Sequence, residues 1–493
     1  MAKISLEIVL AGITISKNSD IPIYQQVYEQ IRKMIVKKRL LPGDRLPASR
    51  KLATDLGVSR TSIIQSFEQL ILEGYLMGKP GAGTYISETL PDNLINASSE
   101  LKKENFPPDT NENYKLNLSL VTQKNEIVPF LNGTVAFDHF PYKIWQHVGS
   151  RVLQDLKSYN LGYSSSFGYW PLRKQIADYL RLSRAVNCDV RQVIIVNGSL
   201  QGISLLLQYL LKPGDSVWME DPGYEMVNTA FKNRGVNICP IPIEKDGLDI
   251  QYAIEHFDSA KLLYVTPSHQ YPLGSTLSIK KRRLLLEYAA QKDFWIVEDD
   301  YDSEFRYDGT PLPSLQGLDK NEHVIYTGTF SKVLFPALRI AYLVLPTLKM
   351  VEEFKVVKET LMGQSPVIDQ IVLAEFMEQG HFLRHLRRMR LLYAERRRIL
   401  VELITQYLSK YLTIENHNAG MNIIAWVSEN IDMDKLRDEA IKNKVYIFFL
   451  KDYTISNYTK PGIILGYTAF SKYKMKIGVE KLLICLKQSE KAF

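Results

Sequence analysis

Apolar positions recur at helical spacing near the start of the chain. From Ile23 to Ile35 an apolar residue stands at every fourth position, which predicts one helix with a single apolar face. The sequence LPGDRLP ends that helix, because proline and glycine are turn residues. Ser49 is a suitable N-cap for a short second helix, which we expect to end at Leu56, before a glycine.

A third helix and a hairpin follow. Ser59 is predicted as the N-cap of a helix that runs to about Glu73, with Ile63, Phe67 and Leu70 on one side. The next sequence, YLMGKPGAGTYIS, has two short β-like pieces around a turn rich in glycine and proline. Three helices followed by a β-hairpin is the element order of a winged helix-turn-helix, and we predict that α+β fold here.

The pattern changes twice beyond this module. Residues 88–126 are rich in Asn, Ser, Lys, Glu and Pro without clear periodicity, and we interpret them as a linker. Further on, apolar β-like runs alternate with helical patterns, which predicts an α/β domain with a mostly parallel central sheet. The β-like runs are QVIIV, SVWME, KLLYVTP, FWIVEDD, HVIYTGTF and RIAYLVLP.

The net charge of +7 has a local origin. Between Ile31 and Phe67 the chain carries nine Lys/Arg and two Asp/Glu, a surplus equal to the net charge of the whole chain. A basic patch on a neutral body indicates a polyanion partner, although a solvated helical face has the same pattern. A second basic run, from Arg384 to Arg398, is interpreted as a solvated amphipathic helix, with a second polyanion surface as the alternative.

The cysteines and the apolar stretches indicate the compartment. The three cysteines stand far apart, so they form no disulfide framework or close-spaced metal pair, and they favour a reducing cytoplasm. The apolar start of the chain is interrupted by a glutamate and shows no small-residue cleavage site, so we predict no signal peptide. No unbroken apolar stretch reaches membrane-spanning length. We therefore expect a cytoplasmic protein that joins the nucleoid when it binds DNA.

Basic and hydroxyl side chains mark the DNA-facing part of the first module. Arg60, at the start of the third helix, has the donor geometry for paired hydrogen bonds to guanine. Hydroxyl residues beside it suit phosphate or a thymine methyl group, and a basic pair opening the second helix suits phosphate. Glycines at the wing tip suit a minor groove. The candidate DNA-binding residues are Arg50, Lys51, Ser59, Arg60, Thr61, Ser62, Gly81 and Gly83.

The first module resembles a known family. The blocks LPGDRLPASR, LGVSR and GAGTY are similar to those of the GntR-type winged-helix domain over about residues 20–87, and we place the domain at residues 18–87. Ala48 stands where many relatives carry serine. The resemblance implies a double-stranded DNA operator as partner, with a winged helix used only for protein contacts as the alternative.

Two turns in the second part of the chain suit an anionic cofactor. A lysine follows an apolar strand in TGTFSKVLFPALR, where burial favours a nucleophilic amine, and its neighbours suit a phosphate group. In VNGSLQG a glycine permits the turn from strand to helix, so that the first helical amides cradle phosphate. The candidates are Ser199, Leu200, Thr329, Ser331, Lys332 and Arg339.

The strand FWIVEDDYDSEF ends in acids. In extended geometry Asp299 and Tyr301 share one face, so a carboxylate and a phenol approach one aromatic ring together. A lysine for a Schiff base, a carboxylate at a ring nitrogen and a phosphate cup are what pyridoxal 5'-phosphate needs, and we predict that cofactor. The alternative is a divalent-metal site in the acidic cluster, but the glycine and ligand spacing of a calcium loop are missing, and we predict no metal.

Together these motifs resemble the fold-type I aminotransferases over about residues 127–490, and most closely the regulatory MocR/GabR subfamily, which carries a GntR-type domain in front. The resemblance implies an α/β domain with a small C-terminal α+β subdomain, and a homodimer in which each DNA-binding domain lies against the other chain's large domain. It also implies roles for individual residues, and it puts Ser199, Leu200, Thr329, Ser331 and Arg339 at the phosphate positions. Lys332 is the Schiff-base lysine, Asp299 meets the pyridine nitrogen and Tyr301 the phenolic oxygen. The ring of Tyr224 stacks near the cofactor, and Tyr163 reaches the partner subunit's phosphate.

Two departures separate the chain from catalytic aminotransferases. Their Asn-Pro-x-Gly motif is replaced by Tyr271-Pro272-Leu273-Gly274, and His269 or Gln270 is the expected substitute for the asparagine. Their late carboxylate-binding arginine has no counterpart, since the sequence has no arginine after Arg437. We therefore expect at most weak transamination. The favoured hypothesis is a regulator that senses a small amine, an amino acid or the cofactor itself; the alternatives are an active aminotransferase and a cofactor-free dimerisation domain.

Overall fold

The computed structural model describes residues 10, 12–16, 19, 21–79, 82–90, 129–157, 162–257, 259–308, 313–415, 419–456 and 460–491. Contacts between residues divide the chain into two units, residues 1–118 and 119–493. Except for residues 88–90, the predicted linker lies outside the described residues. Each unit is considered by itself.

The first unit has the helix and strand order predicted for a winged helix-turn-helix. Its core is built from the predicted apolar positions, including Val27, Ile31, Ile63 and Leu70, all fully buried. The two strands pair antiparallel, with Leu76 opposite Ile86. The elements are α1 (Ile23–Val36), α2 (Ser49–Leu56), α3 (Arg60–Leu72), β1 (Leu76–Lys79) and β2 (Gly83–Ile86).

One predicted helix cap is confirmed and another is wrong. The Ser59 hydroxyl accepts a hydrogen bond from the Ser62 amide at 3.1 Å and caps α3 as expected. The cap of α2 is Ala48, one residue before the predicted Ser49, because the Ala48 carbonyl already accepts the first helical bond, from the Leu52 amide. Ser49 is therefore the first helical residue, and α2 begins without a side-chain cap.

The second unit contains the mostly parallel sheet that the sequence predicts. Its strands follow the order β3-β10-β9-β8-β7-β4-β5-β6, in which only β10 and β6 run antiparallel to their neighbours. The strands are β3 (Val193–Val196), β4 (Ser216–Asp221), β5 (Asn237–Glu244), β6 (Gly247–Leu248), β7 (Leu262–Val265), β8 (Trp295–Asp300), β9 (Val324–Thr329) and β10 (Ala341–Val344).

Helices cover this sheet and lead into the C-terminal part of the unit. They are α4 (Tyr142–Gln154), α5 (Trp170–Arg184), α6 (Ser199–Leu210), α7 (Glu225–Arg234), α8 (Ile250–His256), α9 (Ile279–Lys292), α10 (Leu315–Leu318), α11 (Leu348–Leu361), α12 (Val367–Glu378) and α13 (His381–Tyr407). Strands β7, β9 and β10, and β3 at the sheet edge, are buried at every position, as expected for a sheet covered on both faces.

The predicted small C-terminal α+β subdomain is present. Four strands form an antiparallel sheet in the order β11-β12-β14-β13, and two further helices pack with it. Its core is continuous with that of α5 and α13. The elements are β11 (Leu412–Ile414), β12 (Asn422–Val427), α14 (Met433–Lys442), β13 (Phe448–Phe449), β14 (Gly462–Gly466) and α15 (Lys472–Gln488).

The arginine-rich run lies within the 27-residue helix α13, and several of its arginines bind other parts of the same unit. Arg388 donates to the carbonyl of His139 at 2.9 Å, and Arg390 donates to the carbonyl of Glu304 at 2.9 Å. Arg396 is buried and pairs with Asp138 at 2.8 Å. These contacts support the amphipathic-helix interpretation over a second polyanion surface.

Candidate functional site

The predicted cofactor residues meet at the carboxyl ends of two neighbouring parallel strands. Asp299 lies in β8 and pairs in register with Thr327 of β9. Tyr301 follows β8 directly, and Lys332 stands three residues after the end of β9. Ligands of open α/β sheets bind outside the carboxyl ends of the strands, so the sheet topology places these side chains where a ligand is expected.

Lys332 lies among groups that make its amine reactive. Its Nζ donates a hydrogen bond to the carbonyl oxygen of Gly133 at 3.1 Å. Burial lowers the pKa of the Lys332 amine, while the carboxylates of Asp302 and Asp299 oppose that shift. A lysine with a lowered pKa is more often a neutral amine, which is the form that attacks a carbonyl carbon.

Asp299 has one bound and one open carboxylate oxygen. Its Oδ2 accepts a hydrogen bond from the hydroxyl of Tyr264 at 2.6 Å. Among the described residues none donates to its Oδ1, although that atom is buried. Burial raises the pKa of the Asp299 carboxyl to about 7. A buried oxygen without a donor is what a protonated ring nitrogen of a bound cofactor would satisfy.

The sequence left His269 and Gln270 as alternative substitutes for the missing asparagine, and their contacts distinguish them. Its Nδ1 lies 3.0 Å from the hydroxyl of Tyr301 and 3.0 Å from Oδ2 of Asp302. Gln270 instead donates its amide to the carbonyls of Pro222 and Tyr271. His269 is therefore the residue that the structure brings to the Tyr301 phenol, and Gln270 holds the local backbone.

The predicted phosphate residues gather at the start of α6. Gly198 adopts a φ of 123°, and a side-chain carbon there would lie 2.7 Å from Nη2 of Arg339, so the guanidinium covers this turn. Ser199 and Leu200 are the first residues of α6, whose leading amides have no partner within the helix. A cavity of about 520 Å³ opens here, lined by residues that include Asn197, Gln201, Arg339, Asp369 and Gln370.

Thr329 and Ser331 stay together on the Lys332 turn, where the Ser331 amide donates to the Thr329 hydroxyl at 3.1 Å. Tyr224 stands at the start of α7, and its ring meets that of Tyr271 edge-to-face at 5.7 Å between centroids. Tyr163 is not brought to the other site residues within the chain, and its side chain is fully exposed.

Several residues at the site were not predicted from the sequence. Tyr264, Asp302 and Gly133 contact predicted site residues, and the side-chain amide of Asn132 donates at 3.0 Å to the hydroxyl of Tyr271, whose ring contacts those of Tyr224 and Tyr301. Gly133 and Lys332 are separated by 199 positions, so no local pattern reveals their contact. The alternation of faces along β8 and its continuation assigns Asp302 to the face opposite Asp299 and Tyr301, so it does not predict the contact of Asp302 with His269.

The predicted DNA-facing residues lie on the surface of the first unit. Arg50, Lys51, Arg60 and Thr61 are exposed, as is Ser59. Ser62 is half-buried, and its hydroxyl lies 2.8 Å from that of Ser59, within the helix cap. Of the two wing glycines, Gly83 is exposed with a φ of 110°, and Gly81 lies outside the described residues.

Each unit of the chain matches a known protein family. The description "Bacterial regulatory proteins, gntR family" matches residues 23–86, and "Aminotransferase class I and II" matches residues 138–460. The probable rhizopine catabolism regulatory protein MocR of Rhizobium meliloti is 35% identical over 95% of this chain and 95% of its own. The chain belongs to the MocR subfamily of GntR transcription regulators.

Two further relatives of this MocR-subfamily chain cover most of its length. The pyridoxine biosynthesis transcriptional regulator PdxR of Corynebacterium glutamicum is 35% identical over 79% of this chain and 81% of its own. The crystal structure of kynurenine aminotransferase from Pyrococcus horikoshii, in complex with PMP, superimposes with a TM-score of 0.70 at 26% identity. That comparison covers 81% of this chain and 99% of the other.

Membership of the MocR subfamily fixes the broad roles of the two units. The GntR domain binds DNA, and the aminotransferase-like domain takes a small-molecule ligand. The matches support pyridoxal phosphate as the cofactor, and the open Oδ1 of Asp299 and the glycine turn at Gly198 fit that group. Within the described ranges no helix is long and apolar enough to cross a membrane. In the same part of the chain, no three His, Cys, Asp or Glu side chains are grouped to hold a metal ion.

Proposed function

We propose that the chain is a pyridoxal-phosphate-dependent transcription regulator that responds to a small amine, an amino acid or the cofactor itself. One observation carries the proposal. The same chain gathers a half-buried lysine, an open carboxylate and a glycine turn in one unit, and exposes a cationic helix start in the other. A ligand that binds at the first site shifts the population of states available to the second.

Lys332 and Asp299 do the chemical work at the proposed site. The cofactor, when bound, supplies an aldehyde carbon that forms a C=N bond with a primary amine. Lys332 is the amine that holds it, and burial keeps that amine available for bonding. Oδ1 of Asp299 accepts the hydrogen of the ring nitrogen, whose positive charge favours the ionised carboxyl. Tyr301, with His269 at its hydroxyl, donates toward the phenolic oxygen.

The phosphate group is assigned to the turn before α6 and to the lysine turn. The leading amides of α6, at Ser199 and Leu200, point out of the helix start and suit an anion. Arg339 lies over this turn and adds a full positive charge, and Thr329 and Ser331 contribute hydroxyl groups. The ring of Tyr224 is assigned to the face of the cofactor.

The wider setting follows from the same proposal. We assign a homodimer, in which the exposed Tyr163 of one protomer reaches the phosphate in its partner. A dimer presents two winged helices to paired half-sites of an operator. Binding to DNA places the protein in the cytoplasm, and at the nucleoid when it is bound.

The test of the cofactor site is an absorption spectrum before and after adding pyridoxal phosphate. Wild type is expected to develop the visible band of a C=N bond, which borohydride reduction makes permanent. Lys332→Ala is expected to lose the band, because it removes the amine that forms the bond.

Lys358→Met is the matched control. Lys358 is a fully buried lysine, whereas Lys332 is half-buried; burial lowers the pKa of Lys358 to about 8, and its amine donates to the Gly363 carbonyl. Among the described residues, Lys358 is thus a second lysine whose pKa is lowered by burial. Its loss should leave the band unchanged. A wild-type protein without a band at excess cofactor would contradict the assignment of the site.

Transamination is the second candidate. The solved structures similar to this chain include a kynurenine aminotransferase and an alpha-aminoadipate aminotransferase, with TM-scores of 0.70 and 0.68. The absence of any arginine after Arg437 argues against it, since a substrate carboxylate lacks that partner. Turnover of an amino donor with a keto acid, measured with excess cofactor, decides between the two. Steady conversion over many cycles favours the enzyme, and a single partial conversion favours the regulator.

A further inference from the structure

The first described stretch after residue 90, residues 129–136, is called the entry segment. Along the chain it is the part of the second unit that continues toward the DNA-binding unit. Its Phe130 is fully buried, and the Phe130 carbonyl accepts a hydrogen bond from the Gly466 amide at 3.0 Å. The Ala136 amide donates to the Tyr393 hydroxyl at 3.0 Å, and the Thr468 hydroxyl donates to the Thr134 carbonyl. These contacts fix the segment to the C-terminal part of the unit.

The same segment also contacts the proposed cofactor site. The Gly133 carbonyl accepts the hydrogen bond from Nζ of Lys332, and the neighbouring Asn132 donates to the hydroxyl of Tyr271. The approach at Gly133 is close, because a side-chain carbon at that residue would lie 2.5 Å from the lysine nitrogen. The lysine nitrogen that is proposed to bind the cofactor therefore also holds the entry segment.

We propose that the Gly133 carbonyl senses whether Lys332 is a free amine or is bonded to the cofactor, and that the entry segment is held or released accordingly. The inference rests on the proposed function and names its regulation. A protonated lysine nitrogen carries three hydrogens, and the neutral amine carries two. In a C=N bond the same nitrogen keeps one hydrogen when the bond is protonated and none when it is not, and it is no longer free to turn toward Gly133, so we expect its hydrogen bond to Gly133 to be lost.

An amine effector acts in the opposite direction. When it replaces Lys332 at the cofactor carbon, one C=N bond forms as another breaks, and two hydrogens from the effector amine end on the lysine nitrogen. Lys332 is again a free amine, and its hydrogen bond to Gly133 forms again. Cofactor alone and cofactor with an amine therefore leave the entry segment in different states, although both fill the site.

Hydrogen exchange of the full-length protein, followed by mass spectrometry, tests this inference. The probes are pyridoxal phosphate, which bonds to lysine, and pyridoxamine phosphate, which has the same ring and phosphate but no aldehyde. The reporter is the peptide containing the Ala136 amide. We expect pyridoxal phosphate to speed its exchange on the order of five-fold, the factor that one ordinary hydrogen bond is worth, and pyridoxamine phosphate to leave it unchanged.

A glycine pair supplies the matched variants. In Gly133→Ala the added methyl group takes the place of the lysine amine, so exchange should be fast at the start and should not respond to pyridoxal phosphate. Gly363→Ala adds the same methyl group at a similar positive φ, 64° against 69° at Gly133, but where no atom lies within 4 Å, and it should behave as wild type.

Equal effects of the two cofactor forms on wild type, or no effect of pyridoxal phosphate while the visible band forms, would overturn the inference and leave the proposed function standing. A missing visible band would instead show that the proposed function itself has failed.

Discussion

The two units of the chain use their positive charges in different ways. In the first unit all nine Lys and Arg residues between Ile31 and Phe67 are exposed. In the second, several cations are buried and bind specific oxygen atoms. Arg184 contacts Asp300 at 2.7 Å, and Arg282 donates to the carbonyls of Leu277, Pro313 and Pro267.

Exposed and buried cations have different physical roles. Exposed cations remain hydrated and add little to stability, but they are available to the phosphates of a nucleic acid. A buried cation has lost its water and persists only with good partners, so it holds the surrounding backbone in one arrangement. In the second unit the buried cations therefore fix the backbone around the ends of the strands, whereas those of the first unit lie exposed at its surface.

The largest expected effect comes from removing a buried cation. Arg184→Met leaves the Asp300 carboxylate buried beside Asp299 without its positive partner, and we expect the free energy of unfolding to fall by about 3–5 kcal/mol. All five tryptophans lie in the second unit, so tryptophan fluorescence during denaturant unfolding reports that unit alone.

The control is an ion pair of the same kind at the surface. Arg191 contacts Asp189 at 2.8 Å with both side chains exposed. Arg191→Ala should leave the free energy of unfolding close to that of wild type, because an exposed ion pair contributes little. Equal losses in the two variants would break the distinction between buried and exposed charges.

The same contrast explains how far the sequence predicted the site. Asp299 and Lys332 were predicted because each stands near the end of an apolar strand, and a strand end is a local signal. Gly133 and Tyr264 were not predicted, since their contacts with Lys332 and Asp299 depend on how distant parts of the chain fold together. The distribution of buried partners is a property of the folded unit, and no sequence window contains it.

The fold shows the same limit in two elements. Strand β5 was absent from the predicted strands, because Pro240 and Pro242 interrupt it and proline argues against a strand. It is tolerated near the sheet edge, where only the two-residue β6 pairs beyond it. The cap of α2 was placed one residue late, since the preference for Ser49 at a cap is weaker than the backbone bond that the Ala48 carbonyl already accepts.

An intermediate effect is expected at the exposed cations of the first unit. Arg60→Ala should weaken binding to a duplex selected from a random library by about 1–3 kcal/mol and relax the preference at one base pair, because Arg60 is assigned to a guanine. Lys51→Ala should weaken binding to all duplexes alike and reduce the salt dependence by about one counterion. Fluorescence anisotropy over a series of salt concentrations measures both.

Lys349 provides the control for charge alone. Its side chain is 87% exposed in the second unit, so Lys349→Ala changes the net charge as Lys51→Ala does. Its affinity for the duplex and its salt dependence should match those of wild type. A loss equal to that of Lys51→Ala would mean that net charge, and not the patch in the first unit, attracts DNA.

The smallest effect is expected at the helix cap of α3, which contributes to the stability of the first unit. The Ser59 hydroxyl accepts the Ser62 amide at the start of α3, so Ser59→Ala should lower the stability of that helix by about 1 kcal/mol. Ser49 caps no helix, and Ser49→Ala should change stability by less than about 0.5 kcal/mol. Arg60→Ala, at an exposed position beside the cap, should also change it little. Hydrogen exchange of peptides from α3 measures the three variants under the same conditions. If Arg60→Ala destabilised α3 as much as Ser59→Ala, the cations of the first unit would serve its fold as well as its partner, and the contrast between the two units would be one of degree.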